Sequence, residues 1–381
     1  KTSASTTCLC SVPRLFAMNF FKGLAKFEEE AKAAMHGLQA LAQEHNSGDF
    51  KPPDVNDREA YATKAAQAVA GDIRMFSGCK DEQTSADVSN VASFGLPPDT
   101  GPGGAGGACT NSMILSLTRE PECSWVQLLK NMRGVLSQKG YSQIPQLSSS
   151  REIALQGPFE LMNKNGNGRT KALYIGINYV GQQGELRGCH NDVIIMKEFV
   201  ESQGFDPDSC RVLMDDGDHD EPNGRNIMEG FDWLVSGARE GDSLFVHYSG
   251  HGGSCPDDNG DEEDGMDETL VPVDYQQEGQ IRDDYIYQRL VAPVPKGVTM
   301  TVVMDCCHSG SILDLPYNFE ASDTNMSQAE SGHIAYSAPN GDFDWAKALK
   351  VAMEIFNMWK SGASPKDLAQ FAKKRAKEFF H

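Results

Sequence analysis

The hydrophobic and polar positions between residues 171 and 304 change their period several times along the chain. Short runs of apolar and β-branched residues, which are typical of buried strands, alternate with segments in which apolar residues recur at helical spacing. The predicted strands lie at 172–178, 211–215, 243–248, 269–274 and 298–304. The predicted helices lie at about 190–203, 224–238 and 284–292. This order predicts an α/β fold in which a mostly parallel sheet carries helices on both faces.

The segments on either side of this region have other patterns. Apolar residues recur at helical spacing from Phe20 to Ala42, which predicts an amphipathic helix near 19–45. The elements predicted elsewhere are a strand at 73–79 and helices at 108–118, 124–139, 343–360 and 365–379. The division that follows is a leader with the amphipathic helix at 1–57, a region at 58–157, a Gly/Asn-rich linker at 158–170, a region at 171–330 and a helical tail at 331–381.

Composition limits the classes of partner. The 381 residues include 34 Lys or Arg and 54 Asp or Glu, and the net charge of −20 disfavours binding to nucleic acid. Apolar runs such as 298–304 are far shorter than the ~18 residues that a membrane span needs. The ten cysteines lack repeated CxxC pairs, which favours thiols, so we expect a cytoplasmic or nuclear protein. Residues 1–26 are basic and lack acids, as organelle-targeting leaders do, although an untranslated or vector-derived leader before Met18 explains the same pattern.

Two predicted strands end in residues that can carry chemistry. The strand 243–248 leads to His251 through a glycine-rich turn, and the strand 298–304 leads to Cys307. A thiol nucleophile needs a base within hydrogen-bond reach and backbone N–H donors aimed at the developing oxyanion. A lone histidine or cysteine is more often a satisfied core residue, but both lie here in polar turns. We expect the glycines beside them, Gly250 among these, to let the backbone approach a substrate closely.

The motifs "HYSGHGG" at 247–253 and "DCCHSG" at 305–310 resemble those of metacaspases, within the caspase-haemoglobinase clan of cysteine peptidases. The resemblance covers 171–316 as a large-subunit-like catalytic region. Residues 72–151 resemble the small subunit through "MFSGCKDEQTSADV" and "KGYSQIPQLSSSR". The small-subunit-like region comes first here, as in type III metacaspases. The resemblance therefore implies an α/β caspase-like fold, a mostly parallel sheet flanked by helices, with permuted subunit order.

The resemblance also implies roles for individual residues. The catalytic dyad would be His251 as general base and Cys307 as nucleophile, with Cys306 structural and facing the opposite side of the strand end. The substrate-binding residues would be Cys189, Asp192, Ser249 and Asp305. Two carboxylates in a partly enclosed cleft accept a basic side chain, so we expect cleavage after Arg or Lys. Asp192 has an alternative role, because a carboxylate in the first turn of a helix favours the helix dipole.

Calcium is the cofactor that the resemblance implies. The predicted Ca²⁺ ligands are Asp267, Asp283, Asp284 and Asp314. Carboxylate oxygens suit this cation, although Asp283 and Asp284 also stand where a helix N-cap is expected. The acidic stretch 255–268 matches some EF-hand positions, but Glu262 replaces the glycine that the EF-hand turn needs, which favours a solvated loop.

The resulting prediction is a calcium-dependent cysteine endopeptidase that acts on proteins or peptides with Arg or Lys before the scissile bond. The linker 158–170 lies far along the chain from His251 and Cys307, so we expect activity without its cleavage, and we expect a monomer. The alternative is a catalytically silent, calcium-responsive binding or scaffold protein on the same fold, against which the intact dyad argues. A redox sensor using Cys306 and Cys307 is disfavoured, because a disulfide between adjacent cysteines is strained.

Overall fold

The computed structural model describes residues 55–78, 87–88, 106–163, 168–256, 266–306, 312–330 and 338–339. All of these residues belong to one unit that spans 54–346. Cys307 lies outside the described residues. So do residues 257–265 of the acidic stretch and the predicted helices near 19–45, 343–360 and 365–379.

The elements are numbered along the chain. The strands are β1 (Asp72–Ser77), β2 (Asp87–Val88), β3 (Gly106–Gly107), β4 (Gln146–Ser149), β5 (Thr170–Gly176), β6 (Cys210–Met214), β7 (Ser243–Ser249), β8 (Gly252–Pro256), β9 (Met266–Leu270), β10 (Ile281–Arg282), β11 (Thr299–Asp305), β12 (Tyr317–Glu320) and β13 (Ala338–Pro339). The helices are α1 (Val55–Ala68), α2 (Ala108–Arg119), α3 (Trp125–Gln138), α4 (Cys189–Ser202), α5 (Gly224–Val235), α6 (Tyr275–Glu278), α7 (Asp283–Ile286) and α8 (Asp323–Glu330). A π-helical turn, Tyr287–Val291, continues α7.

The central sheet has eight strands in the order β13-β12-β4-β1-β11-β7-β5-β6. The pairs from β1 through β6 in this order are parallel, whereas β4, β12 and β13 join in antiparallel pairs. Every residue of β7 and β11 is buried, which explains why apolar residues predominate in both strands and occur on both of their faces. The mostly parallel sheet predicted from the sequence is confirmed.

Helices cover both faces of this sheet. One face packs against α2, α3, α4 and α8, and its core includes Met113, Leu128, Val193 and Phe245. On the other face α5 lies against β5, where a Cβ on Gly230 would be 3.1 Å from Leu173. Tyr174, the next residue of β5, belongs to the core of the first face, as the alternation of a strand requires. No helix in the described part of the chain is long and apolar enough to cross a membrane.

One predicted strand, 269–274, is wrong in its bounds and in its sheet. The observed strand β9 ends at Leu270 and belongs to a three-stranded sheet with β8 and β10. The ladder stops there because Pro272 has no N–H to donate. The N–H groups of Val271 and Val273 donate instead to the carbonyls of His251 and Pro222.

Strand β1 joins the two predicted regions. It comes from the region 58–157 and pairs with β11 of the region 171–330, in register from Asp72 with Thr299 to Ser77 with Met304. Its other side pairs with β4. The small-subunit-like and large-subunit-like regions therefore share one sheet, and the carboxyl ends of β1 and β11 lie side by side.

Candidate active site

The candidate residues gather at the carboxyl ends of the central parallel strands. Ser249, the last residue of β7, is paired with Gly176 of β5 and with Asp305 of β11. His251 follows β7 by two residues, and Cys306 follows β11 directly. Ligands of open α/β sheets bind at this edge, so the position of the site agrees with the rule for this fold class.

Two buried tyrosines fix the main chain of His251. The His251 N–H donates to the Tyr179 hydroxyl at 2.9 Å, and the His251 carbonyl accepts from the Tyr248 hydroxyl at 2.7 Å. The Tyr179 hydroxyl donates to the Val271 carbonyl at 2.7 Å, and its ring lies 4.7 Å from the imidazole between centroids. Burial raises the pKa of both phenols, so they stay protonated and able to donate.

A backbone carbonyl orients the imidazole of His251. Nε2 lies 2.7 Å from the carbonyl oxygen of Gly184, which can only accept, so Nε2 carries the hydrogen and donates it. Nδ1 is then the nitrogen that can take up a proton. Gly184 belongs to the β5–α4 loop, residues 177–188, and has a φ of +83°. Sequence reasoning missed Gly184, because an acceptor in the main chain has no side-chain motif.

Cys306 and Gly250 lie against the same two tyrosines. Cys306 is fully buried, and its thiol is close enough to add to the rise in phenol pKa that burial causes. A Cβ on Gly250 would lie 2.9 Å from the Tyr248 hydroxyl and 3.1 Å from the Tyr179 hydroxyl. Gly250 therefore makes room for the phenols, whereas the sequence predicted room for a substrate.

The four predicted substrate-binding residues are all buried next to the sheet edge. Ser249 donates from its hydroxyl to Asp192 at 2.7 Å. Asp192 lies in the first turn of α4, which Cys189 begins, and Asp305 ends β11 beside Ser249. Asp192 has an exposed fraction of 0% and Asp305 of 4%, so both carboxylates depend on donors within the protein.

The N-terminal turn of α2 supplies such donors. The Gly107 N–H lies 2.8 Å from each oxygen of Asp192, and the Thr110 N–H donates to Asp305 at 2.7 Å. The Asn111 amide also donates to Asp192, at 3.2 Å. A Cβ on Gly107 would lie 2.2 Å from Asp305 Oδ2 and 2.8 Å from Asp192 Oδ2, so the two carboxylates flank this residue. Asp192 thus lies in the first turn of α4, and its carboxylate accepts hydrogen bonds from the N-terminus of another helix, α2.

His247 lies beneath this turn on the same face of β7 as Ser249. It is fully buried, and its Nε2 is 3.1 Å from the Thr110 hydroxyl. Burial lowers the pKa of His247 to about 3, so the imidazole is neutral at neutral pH. Its Nδ1 has no hydrogen-bond partner among the residues described. Thr110 therefore contacts two site residues from one turn of α2. Its hydroxyl contacts the neutral His247, and its N–H donates to Asp305.

Three of the predicted calcium ligands lie near the three-stranded sheet. Asp267 of β9 forms an ion pair with Arg282 of β10. Asp283, which follows Arg282 at the start of α7, accepts the N–H groups of Glu268 and Asp284 at 2.8 Å each. The N-cap position of α7 is Arg282, so neither aspartate is the N-cap residue.

The fourth predicted ligand, Asp314, lies in the turn before β12 with a φ of +47°. Within the described ranges, no group of three or more Asp, Glu, His or Cys residues could hold a metal ion. The buried carboxylates of Asp267 and Asp283 offer the oxygen ligands that a hard cation such as Ca²⁺ prefers. The positive charge that pairs with Asp267 in this structure is the guanidinium of Arg282.

Comparisons with known proteins identify the sequences that this chain resembles. A family model described as "Metacaspase, peptidase C14 domain" matches residues 170–316, and one described as "Caspase domain" matches 4–154. The chain is 48% identical to "Metacaspase III c" of Phaeodactylum tricornutum over 309 residues, which cover 79% of this chain and 88% of that relative. It is 50% identical to "Metacaspase-1" of Mycosarcoma maydis over 157 residues, 41% of this chain and 39% of that protein. The match to the fungal protein thus spans about two fifths of its length.

Replacing Gly107 by Ala should destabilise the protein, because the added Cβ meets both carboxylates. The expected loss of unfolding free energy is about 3 kcal/mol, at the upper end of common overpacking costs. Gly134→Ala is the matched control, since a Cβ there meets nothing within 4 Å, and Ala in this helix interior should stabilise by about 1 kcal/mol. Urea unfolding of both variants in a Cys307→Ala background measures the difference. Wild-type stability of Gly107→Ala would show that the carboxylates do not flank this residue.

Proposed function

Because this chain belongs to the metacaspase family of cysteine endopeptidases, we propose that it cleaves after Arg or Lys with His251 and Cys307 and that Ca²⁺ switches this activity on. The observation that carries the proposal is the state of His251. Its Nε2 donates to the Gly184 carbonyl, which leaves Nδ1 as the acceptor at the sheet edge where β11 leads to Cys307. A histidine held in one tautomer by a backbone carbonyl can act as a base without an acidic third residue.

In the proposed reaction, Nδ1 of His251 takes the proton of the Cys307 thiol, and the thiolate attacks the carbonyl carbon of the scissile bond. The tetrahedral intermediate collapses as the imidazolium gives this proton to the leaving amine, and a thioester remains on Cys307. Nδ1 then takes a proton from water, the hydroxide attacks the thioester, and the sulfur leaves and regains a proton from His251. The Gly184 carbonyl stabilises the imidazolium in both halves, since it accepts from Nε2–H.

We attribute the choice of substrate to Asp192 and Asp305. Both are buried beside Gly107, and the donors that reach them from Gly107, Thr110 and Ser249 are uncharged. Such donors stabilise ionised carboxylates without cancelling their charge. When ionised, the two carboxylates would attract a guanidinium or ammonium group and repel an acidic side chain.

Changing Cys307 to Ala should abolish peptide hydrolysis, whereas Cys306→Ala should retain a substantial fraction of it. The physical reason is that Cys306 is fully buried, so its sulfur fills core space and does not face the solvent. Initial rates on a fluorogenic Arg peptide measure the effect, and matching circular dichroism spectra control for folding. An active Cys307→Ala protein together with an inactive Cys306→Ala protein would move the nucleophile by one residue.

The Asp192→Asn variant should lose cleavage after Arg but keep cleavage after citrulline, the neutral isostere of arginine. Removing one partner of a buried charge pair costs about 3–5 kcal/mol, which lowers kcat/KM for the Arg peptide by about 150- to 5,000-fold. Asp232→Asn is the control, because Asp232 is exposed and pairs with Arg289. Equal losses on both peptides would indicate a structural role only, and equal wild-type cleavage after Arg and Asp would refute the basic specificity.

The three-stranded sheet supports the proposed role of calcium. Asp267 pairs with Cys255 across β8 and β9, and the same ladder pairs Gly252, the residue after His251, with Leu270. A cation bound at Asp267 would therefore act on the strand that begins beside the base. Asp267, Asp283, Asp284 and Asp314 are the residues that would hold it, and the charge of the ion would offset the repulsion between their carboxylates. An ion that binds Asp267 would replace Arg282 as the partner of this carboxylate.

The position of the linker supports activity of the uncut chain. Thr170 begins β5 and pairs with Ser243, the first residue of β7, so the linker enters the sheet at the edge opposite to His251. Lys171 lies within β5, whose backbone is paired with β6 and β7, and its ammonium group donates to the Trp233 carbonyl, so the bond after Lys171 is held within the sheet. Cutting the linker thus releases nothing that is held against the dyad.

The variant with Lys164, Arg169 and Lys171 all changed to Gln should be active with Ca²⁺ as an intact band on a gel and inactive with a chelator or with Mg²⁺ alone. Calorimetry on Cys307→Ala protein tests the ligands directly. Asp267→Asn should weaken Ca²⁺ binding because it removes a charged oxygen ligand, whereas Asp257→Asn, in the EF-hand-like stretch, should not. Activity that appears only after nicking would refute the uncut enzyme. Calcium binding with no hydrolysis of any peptide would favour the scaffold alternative.

A further inference from the structure

Tyr179, which fixes the His251 main chain, has a strained backbone. Its φ is +53°, in the left-handed region that residues with a side chain rarely adopt. Its side chain is fully buried, and its hydroxyl and ring both contact His251. Such conformations persist only where neighbouring groups hold them, and they concentrate at functional sites. Some group must therefore hold Tyr179.

Asp215, the first residue after β6, binds the residues on both sides of Tyr179. Its Oδ1 accepts the Asn178 N–H at 2.8 Å, and its Oδ2 accepts the Val180 N–H at 3.1 Å. Oδ1 also accepts Nε2–H of His190 at 2.6 Å. Burial alone would raise the pKa of Asp215, but the hydrogen bonds from His190, Asn178 and Val180 outweigh it and lower the pKa. The carboxylate is therefore ionised at neutral pH and accepts from donors on both sides of the strained residue.

We propose that Asp215 is a positioning residue for the catalytic base, which holds Tyr179 in its left-handed conformation and, through the β5–α4 loop, holds the two groups that fix His251. Tyr179 fixes the His251 main chain, and Gly184 of the same loop orients its imidazole. Asp215 acts only through these residues and does not take part in proton transfer. The inference rests on the proposed role of His251 as the base. It gives a function to an acidic residue that the sequence pattern places only at the end of a predicted strand, 211–215.

The next residue in the chain offers a matched control. Asp216 also pairs with a histidine, at 2.8 Å from Nδ1 of His219, and also accepts two backbone N–H groups, those of Asp218 and His219, at 3.0 Å. These partners lie in the turn after β6 and not in the β5–α4 loop. Asp215→Asn and Asp216→Asn thus change the same kind of interaction, but only the first acts on Tyr179.

The experiment compares Asp215→Asn, Tyr179→Phe, their double variant and Asp216→Asn on a peptide that the wild type cleaves. The Asp215→Asn change turns an NH₂ group toward an N–H donor, and the Tyr179→Phe change keeps the ring but leaves the His251 N–H without its acceptor. We expect each single variant to lose about 10- to 100-fold in kcat, per titrated active site, with KM within about twofold of wild type. The acid limb of the pH–kcat profile should move, and the double variant should lose no more than either single one. Asp216→Asn should behave as wild type.

Several results would overturn the inference. Wild-type kcat and pH profile in Asp215→Asn and Tyr179→Phe, even with a lowered Tm, would leave Asp215 a purely structural role. If the loss of kcat in the double variant equalled the product of the two single losses, Asp215 and Tyr179 would act on the site independently. If Asp215→Asn does not fold, His190→Ala replaces it, because it removes a donor to the same carboxylate. A fall in kcat at unchanged KM then supports the inference, and wild-type kinetics overturn it.

His251→Ala separates this inference from the proposed function. If that variant remains active, His251 is not the base, and both proposals fail together. If it is inactive while the Asp215 and Tyr179 variants match the wild type, the proposed function stands and only the positioning role falls.

Discussion

The N–H groups at the start of α2 donate to Asp192 and Asp305, two carboxylates that the fold buries side by side. A buried carboxylate is destabilising unless donors satisfy its oxygens, and adjacent carboxylates also repel one another. The first turn of a helix has N–H groups without partners in that helix and the positive end of its dipole, so it meets both requirements with uncharged groups. The place of α2 is therefore tied to the acids, and Gly107 is the residue that lets its backbone come between them.

This contact crosses between the two predicted regions and explains how a permuted chain can build the same site. α2 comes from the region 58–157, whereas both acids come from the region 171–330. The parallel pairing of β1 with β11 brings the regions together a second time. Neither contact depends on which region the chain forms first, because both are non-covalent. The linker joins the sheet at the edge away from the site, where its direction has no effect on the strand ends that carry chemistry.

The elements that could be predicted are those in which the pattern of apolar and polar side chains follows from burial. β7 and β11 are buried on both faces, so their apolar runs gave bounds within one residue of those observed. β4 and β12, with the sequences QLSS and YNFE, were missed, because such short, partly polar segments become strands only by adding to an existing edge, β4 to that of β1 and β12 to that of β4. His251 and Asp192 were predicted as site residues from motifs. Their partners, the Gly184 carbonyl and the Gly107 N–H, belong to the main chain and leave no pattern.

That main-chain groups hold the site has a chemical consequence. A backbone carbonyl cannot gain or lose a proton in the physiological range, so the tautomer of His251 that Gly184 selects does not change with pH, as it would if a titrating carboxylate selected it. The ionised group that contacts the β5–α4 loop, Asp215, accepts hydrogen bonds from the N–H groups on both sides of Tyr179 and from His190. Tyr179 in turn contacts His251 through its hydroxyl and its ring. Asp192 and Asp305, by contrast, lie at the sheet edge itself, where the N–H groups of Gly107 and Thr110 donate to them.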